Sequence, residues 1–223
     1  MADDTLGPFR RWFWQPPRSH GETVVGRPVS FLELFYDLVY VAVIGQAAHH
    51  LAEHVSARGV AEFALVFALI WIAWINGSLY IEIHGRDDGR TRGIVFTQMG
   101  LLALLAVFTG DAAGDSGPAF AMVYAAFLLV VTWLFSAVKR QERRDRPEFV
   151  VETARYVTGM AVATVAILVS ALLPTGPRLI VWVVVAIGWI VGILLAGHAD
   201  VGLHRGMPPT ESLVERFGLF TII

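Results

Sequence analysis

Six apolar runs of about twenty residues divide this 223-residue chain, and their length restricts it to one broad architecture. They cover approximately Ser30–Glu53, Val60–Ile81, Gly93–Gly110, Ala119–Val138, Thr153–Leu173 and Leu179–Gly197. Some 20 apolar residues, each rising ~1.5 Å, cross the ~30 Å hydrocarbon core of a bilayer. Water is absent there, so backbone amides must be satisfied within the segment, and a run of this kind folds as a helix. The expected fold is an all-α, polytopic membrane helix bundle of six complete transmembrane helices. A seventh apolar run opens near Ser212 and reaches Ile223 through Phe-Gly-Leu-Phe-Thr-Ile-Ile. It is too short to span and reads as the start of a truncated seventh helix. Charge supports the same class: 16% of residues are charged, against about 25% in a soluble domain.

Three segments follow from this pattern: 1–28, a polar N-terminal segment; 29–198, the six-helix bundle; and 199–223, a loop with the start of the seventh helix. Pro8, Pro16, Pro17 and Pro28 prevent a long helix in the first segment. Asp3 and Asp4 stand where a secretory signal would be basic, so insertion falls to the first apolar helix. Arg10-Arg-Trp-Phe-Trp14 mixes cations with large rings, a combination suited to the membrane–water interface. Basic residues then alternate from loop to loop. Arg10, Arg11, Arg18 and Arg27 precede the first run, Arg86, Arg90 and Arg92 follow the second, and Lys139 to Arg146 follow the fourth. The intervening loops carry Arg58, no cation, and Arg178. Cations favour the cytoplasmic side, so the N-terminus is expected to be cytoplasmic. The net charge of −2, with cations dispersed over loops, excludes a nucleic-acid binder. Cysteine is absent, which excludes disulfides and thiolate metal sites. No sequence motif calls for a cofactor, and none marks a catalytic residue. The expected partners are the lipid bilayer and a small solute or proton.

Glu33 and Asp37 are the most informative polar residues, because they lie one helical turn apart on one face of the first apolar run. A carboxylate at the centre of a membrane helix costs about 2.5–3.5 kcal/mol, so such groups turn inward and find partners. Tyr40, Ile44, Ala48 and Leu51 extend that face. With the N-terminus inside, the acids belong to a layer of ionisable groups near the cytoplasmic side. Gln98 on the third run shares that layer, as do Arg155 at the opening of the fifth and Glu215 and Arg216 at the opening of the seventh. Two chemistries fit. The acids serve an ion, proton or substrate pathway, or they clamp helices together through Arg155 or Arg216. The outer half is expected to be nearly bare, apart from Gln46, His49, His50 and Glu53.

Weaker signals surround this one. His49/Glu53 and His50/His54 have helical spacing for a metal but lie on different faces, and read as a polar helix end. His84, Asp87 and Asp88 on one loop, with His198, Asp200 and His204 on another, have the residue types of a metal site. Trp71 and Trp74 read as packing groups, and Asn76 as a hydrogen-bonding residue between helices. Gly188-Trp-Ile-Val-Gly192 permits close backbone approach and reads as packing within the bundle.

The stretch Pro28-Val-Ser-Phe-Leu-Glu-Leu-Phe-Tyr-Asp-Leu-Val-Tyr-Val-Ala-Val43 resembles the bacterial low temperature requirement protein A (LtrA) family, whose signature is an -LELFFDLVFV- helix. Arg86-Asp-Asp88 with Arg92 and Gln98-Met99, and Glu215-Arg-Phe-Gly-Leu-Phe-Thr-Ile-Ile223, are similar to further family motifs. The resemblance runs from Pro28 to Ile223 and implies a multi-pass protein of the bacterial cytoplasmic membrane, of which this chain is the N-terminal half to two-thirds. It places Glu33, Phe35, Asp37, Glu215, Arg216 and Gly218 at signature positions. Pro208 to Glu211 and Ile83 to Arg86 depart from the family pattern, which weighs against a loop metal site. Glu33-Leu-Phe35 and Glu215-Arg-Phe217 share a Glu-x-Phe opening, as a parallel repeat would. The resemblance implies a location and a fold without a reaction. The expected function is transporter- or channel-like, with Glu33 and Asp37 as the working acids. The alternatives are a structural or stress-adaptation membrane protein, or a membrane-embedded lipid-modifying enzyme.

Overall fold

A computed structural model of the chain describes Phe13 and residues 15–19, 29–53 and 55–199, the last seven by backbone alone. Among these residues the six apolar runs form six helices: α1 Phe31–Glu53, α2 Ala57–His84, α3 Gly89–Thr109, α4 Gly117–Asp145, α5 Val150–Ser170 and α6 Thr175–Ala199. A single 3-10 turn, Pro147–Phe149, joins α4 to α5. Each of the six is long and apolar enough to cross a membrane. The seventh run, with Glu215 and Arg216, lies outside the described residues.

Local chemistry sets the boundaries. Ser30 opens α1: its Oγ accepts from the Glu33 amide at 3.3 Å and donates to Glu33 Oε1 at 2.9 Å. Ser56 caps α2 by accepting from Gly59 N–H at 3.0 Å, and Asp88 caps α3 by accepting from Thr91 N–H at 2.9 Å. Side-chain oxygens at these positions satisfy amides that have no helical partner. Helix α4 continues well past the apolar run that ends near Val138. The charged tail Lys139 to Asp145 has good helix formers and carries the helix beyond the hydrocarbon slab.

Helix α2 is the most enclosed, packing against α1, α4 and α6, while α4 packs against α2, α3 and α5. The buried stripe of α1 runs Glu33, Tyr36, Asp37, Tyr40, Val43 and Ala47, leaving Ala48 exposed. Trp74, Tyr36, Tyr40, Tyr124 and Phe127 fill the interior. Tyr124 Oη donates to the Leu69 carbonyl at 2.7 Å, linking α4 to α2. Phe96, Val107, Leu129, Val165 and Leu172 point outward, an apolar exterior that hydrocarbon would solvate. The Gly188–Gly192 stripe corrects the sequence expectation. Both glycines are exposed, and a Cβ at either would meet nothing within 4 Å.

The α2–α3 and α4–α5 loops close the end that carries the arginine-rich turns, where residues 15–19 also lie. The opposite end is less bare than expected. Arg178 is buried there, donating to the Gly114 carbonyl at 2.6 Å and resting 6.0 Å from the Trp182 ring. Trp182 in turn donates to Ser170 Oγ at 2.9 Å. This knot ties the α3–α4 loop to α5 and α6.

Candidate functional site

The candidate site starts at the two acids of α1, which the helix delivers to the interior on one face. Glu33 is 3% exposed and Asp37 5% exposed. Their settings differ. Glu33 belongs to the helix start, where Ser30 engages both its backbone and its carboxylate. Asp37 lies deeper, and its Oδ1 accepts a hydrogen bond of 2.8 Å from Trp74 Nε1 on α2. Trp74 stands nearly three turns before His84, about 15 Å along the helix at ~1.5 Å per residue. The Asp37 carboxylate therefore sits well inside the bundle.

Other polar groups are buried elsewhere in the bundle. Tyr36 and Tyr40 share a hydrogen bond of 3.1 Å between their hydroxyls, with rings edge to face at 5.1 Å. Tyr156 Oη on α5 donates to Asn76 Oδ1, while Asn76 Nδ2 donates to the Ile72 carbonyl of its own helix. Gln98 is buried on α3, and its Nε2 has no hydrogen-bond partner among the described residues. Glu33, Asp37, Tyr40, Asn76 and Gln98 are thus all interior.

Arg155 is not brought to the acids. Its side chain is 75% exposed and lies 3.9 Å from Glu152 of its own helix. The fifth run does open at the expected level, but the side chain projects away from the bundle. Arg155→Ala is consequently expected to change stability by less than about 0.5 kcal/mol, read as an unfolding midpoint in detergent within error of the parent protein. A collapse of the folded fraction would restore the clamp through Arg155. Arg216 and Glu215 lie outside the described residues.

Among the described residues the buried guanidinium groups at this end are Arg18 and Arg90, neither of which hydropathy or spacing singles out. Arg18 N–H donates to the His84 carbonyl at 3.0 Å, and Arg18 Nη2 donates to the Glu82 carbonyl at 3.0 Å. His84 Nδ1 lies 2.8 Å from the Arg18 carbonyl. Asp88 accepts from Gln15 N–H at 3.0 Å, and Arg90 Nη1 donates to the Gln15 carbonyl at 3.2 Å. A five-residue strap is thereby fastened across the ends of α2 and α3. The described members of the loop metal set have other partners. His84 and Asp88 hold the strap and cap a helix, whereas Asp87 is exposed and paired with Arg92 at 2.8 Å. Among the described residues no three His, Asp or Glu side chains gather as metal ligands. His198, Asp200 and His204 lie outside the described side chains.

Six membrane-length helices around a buried acid and a shell of interior polar residues define a multi-pass α-helical membrane protein. Residues 28–223 match the family model of the bacterial low temperature requirement A protein (LtrA), and the chain belongs to that family. It is also similar to the uncharacterized protein RA0937 of Rhizobium meliloti (strain 1021), 25% identical over 201 residues, covering 87% of this chain and 48% of that protein. The chain therefore spans about half the length of the curated relative it matches. No solved structure gives a significant match.

Proposed function

We infer that this chain forms part of a transporter- or channel-like protein of the bacterial cytoplasmic membrane, with Asp37 as the acid that meets a proton or a small solute. The supporting observation is the position of that carboxylate, buried deep in α1 and held by an indole N–H of the most enclosed helix. Ionisable groups kept inside a membrane bundle commonly mark relays and pathways, because their insertion cost is otherwise uncompensated. The arginine-rich end, with the strap, faces the cytoplasm in this reading. Glu33 supports a second, structural reading for itself alone, since its hydrogen bonds with Ser30 are those of a helix start.

Asp37→Asn separates the readings. Asparagine keeps an oxygen to accept from Trp74 but does not titrate, so the folded fraction is expected to persist. Proton flux into liposomes driven by a pH gradient is expected to fall at least about tenfold, a loss typical of removing a proton-transferring group. If folding and flux decline in parallel, Asp37 is a clamp. If flux is unchanged, the acid has no part in transport.

A further inference from the structure

A cavity of about 320 Å³ lies at the arginine-rich end, and Asp37 is not among its lining residues. Pro16 and Pro17 of the strap, Arg90 of α3, and Trp133, Arg140 and Arg144 of α4 line it, and no carboxylate is among the described lining residues. Helical spacing explains the wall that α4 contributes. Trp133, Ala137, Arg140, Gln141 and Arg144 fall on one stripe of the helix. Traced back toward the bundle centre, this stripe continues through Leu129, which is 60% exposed on the hydrocarbon-facing exterior. The stripe therefore passes from lipid-facing apolar residues, through a 43% exposed indole, to two exposed guanidinium groups. An indole in this setting sits at headgroup level. Arg140 lies about 10 Å beyond Trp133 at ~1.5 Å per residue, within reach of the same layer because an arginine side chain can bend back toward it.

Charge on the two sides of the cavity is unequal. Arg140 and Arg144 make no ion pair or hydrogen bond among the described residues. Asp145 is engaged by Gln141 and Ser19, and Glu142 is fully buried on another face. Arg90 stacks 5.5 Å from the Trp133 ring and forms the inner wall. An occupant must be anionic, must present oxygens to forked N–H donors, and must lie where an acyl chain can run up the Leu129–Trp133 stripe.

We propose that this cavity binds the phosphate headgroup of an anionic phospholipid, with Arg140 and Arg144 as the phosphate ligands and Trp133 seating the glycerol region. Basic recesses at the cytoplasmic ends of membrane helices recognise such headgroups by the same chemistry. The strap supplies the remaining wall, so the site needs residues 15–19 in place.

The test uses the whole chain in phosphatidylcholine vesicles containing spin-labelled phosphatidylglycerol, with selectivity for the anionic lipid read from the motionally restricted fraction. Arg140→Gln with Arg144→Gln is expected to reduce that selectivity about tenfold, because it removes forked N–H donors to the phosphate and not merely surface charge. Lys139→Gln with Arg143→Gln removes the same charge from another face of α4 and is expected to leave selectivity within about twofold. Equal loss in both double variants, or loss in neither, overturns the assignment. If the Arg140/Arg144 double variant does not fold, Arg144→Gln alone is expected to give about a threefold loss. Soluble glycerol phosphate forms the second arm. Failure to displace the labelled lipid supports a lipid site, and displacement at millimolar concentration overturns it in favour of a soluble phosphate ligand.

Discussion

Replacing Trp74 by alanine is expected to lower the unfolding free energy in detergent by about 3 kcal/mol, the lower part of the range for truncating a large core aromatic. The lower part applies because a separated membrane helix is already solvated by hydrocarbon, which removes most of the water-transfer contribution. What remains is the void. Trp74 is almost fully buried on α2, the helix that packs against α1, α4 and α6, so neighbours lose their contacts. The substitution also withdraws the N–H that Asp37 accepts at 2.8 Å. Trp74→Phe weights the second effect, since it retains much of the volume and loses the donor. It is expected to cost about 1 kcal/mol, near the upper part of what interhelical hydrogen bonds contribute in membranes. Combining Trp74→Phe with Asp37→Ala, which leaves no acceptor, should cost less than the sum of the two, because both remove the same bond. A Trp74→Phe variant as stable as the parent, with strictly additive behaviour in the double variant, would show the bond to be inconsequential.

How much of this site can be read from the linear sequence depends on whether the question concerns depth or azimuth. Apolar length determines the six spans, and the i,i+4 spacing of Glu33 and Asp37 puts them on one face before any neighbour is known. Loop charges likewise place Arg155 at the level of α5's beginning. Rotation of α5 about its axis is a packing outcome, and it turns Arg155 outward to Glu152. The same ambiguity hides Trp74. Two indoles three residues apart are both candidates for the interior, and only the docking of α1 against α2 selects one as the donor to Asp37.

The strap illustrates a different gap. Arg18, Gln15 and Pro16 fasten it largely through backbone groups, using the Arg18 amide and the carbonyls of Gln15, Pro16 and His84. Backbone partners carry no side-chain code, so a proline-rich segment reads as a tail whether or not it is bound. His84 and Asp88 were available to a metal by residue type, but the strap and the α3 amides use them first. Conversely, Ser30-x-x-Glu33 carries a helix-start signature in plain sight, and the Ser30 contacts follow it. The two acids of α1 are neighbours on a face with different hydrogen-bond partners.

Gly77→Val is expected to cost about 3 kcal/mol, the upper part of the range for overpacking a filled core. A Cβ at position 77 would overlap the Tyr36 hydroxyl and press on its Cζ at 3.2 Å. The hydroxyl cannot swing to solvent, because Tyr36 is fully buried and bonded to Tyr40. Either the ring is displaced or α1 and α2 separate, and separation would also stretch the Trp74–Asp37 bond three residues away. Gly45→Val on α1 is the matched control, since a Cβ there meets nothing within 4 Å. That variant is expected to hold its unfolding midpoint in detergent. Tyr36→Phe tests the mechanism. Removing the hydroxyl opens the space that the new side chain needs, so Tyr36→Phe with Gly77→Ala should be more stable than the sum of the single changes by about 1 kcal/mol. Equal losses for Gly45→Val and Gly77→Val would mean that the cost is that of a β-branched residue in a helix. The close approach of α1 to α2 would then have no special need for glycine at position 77.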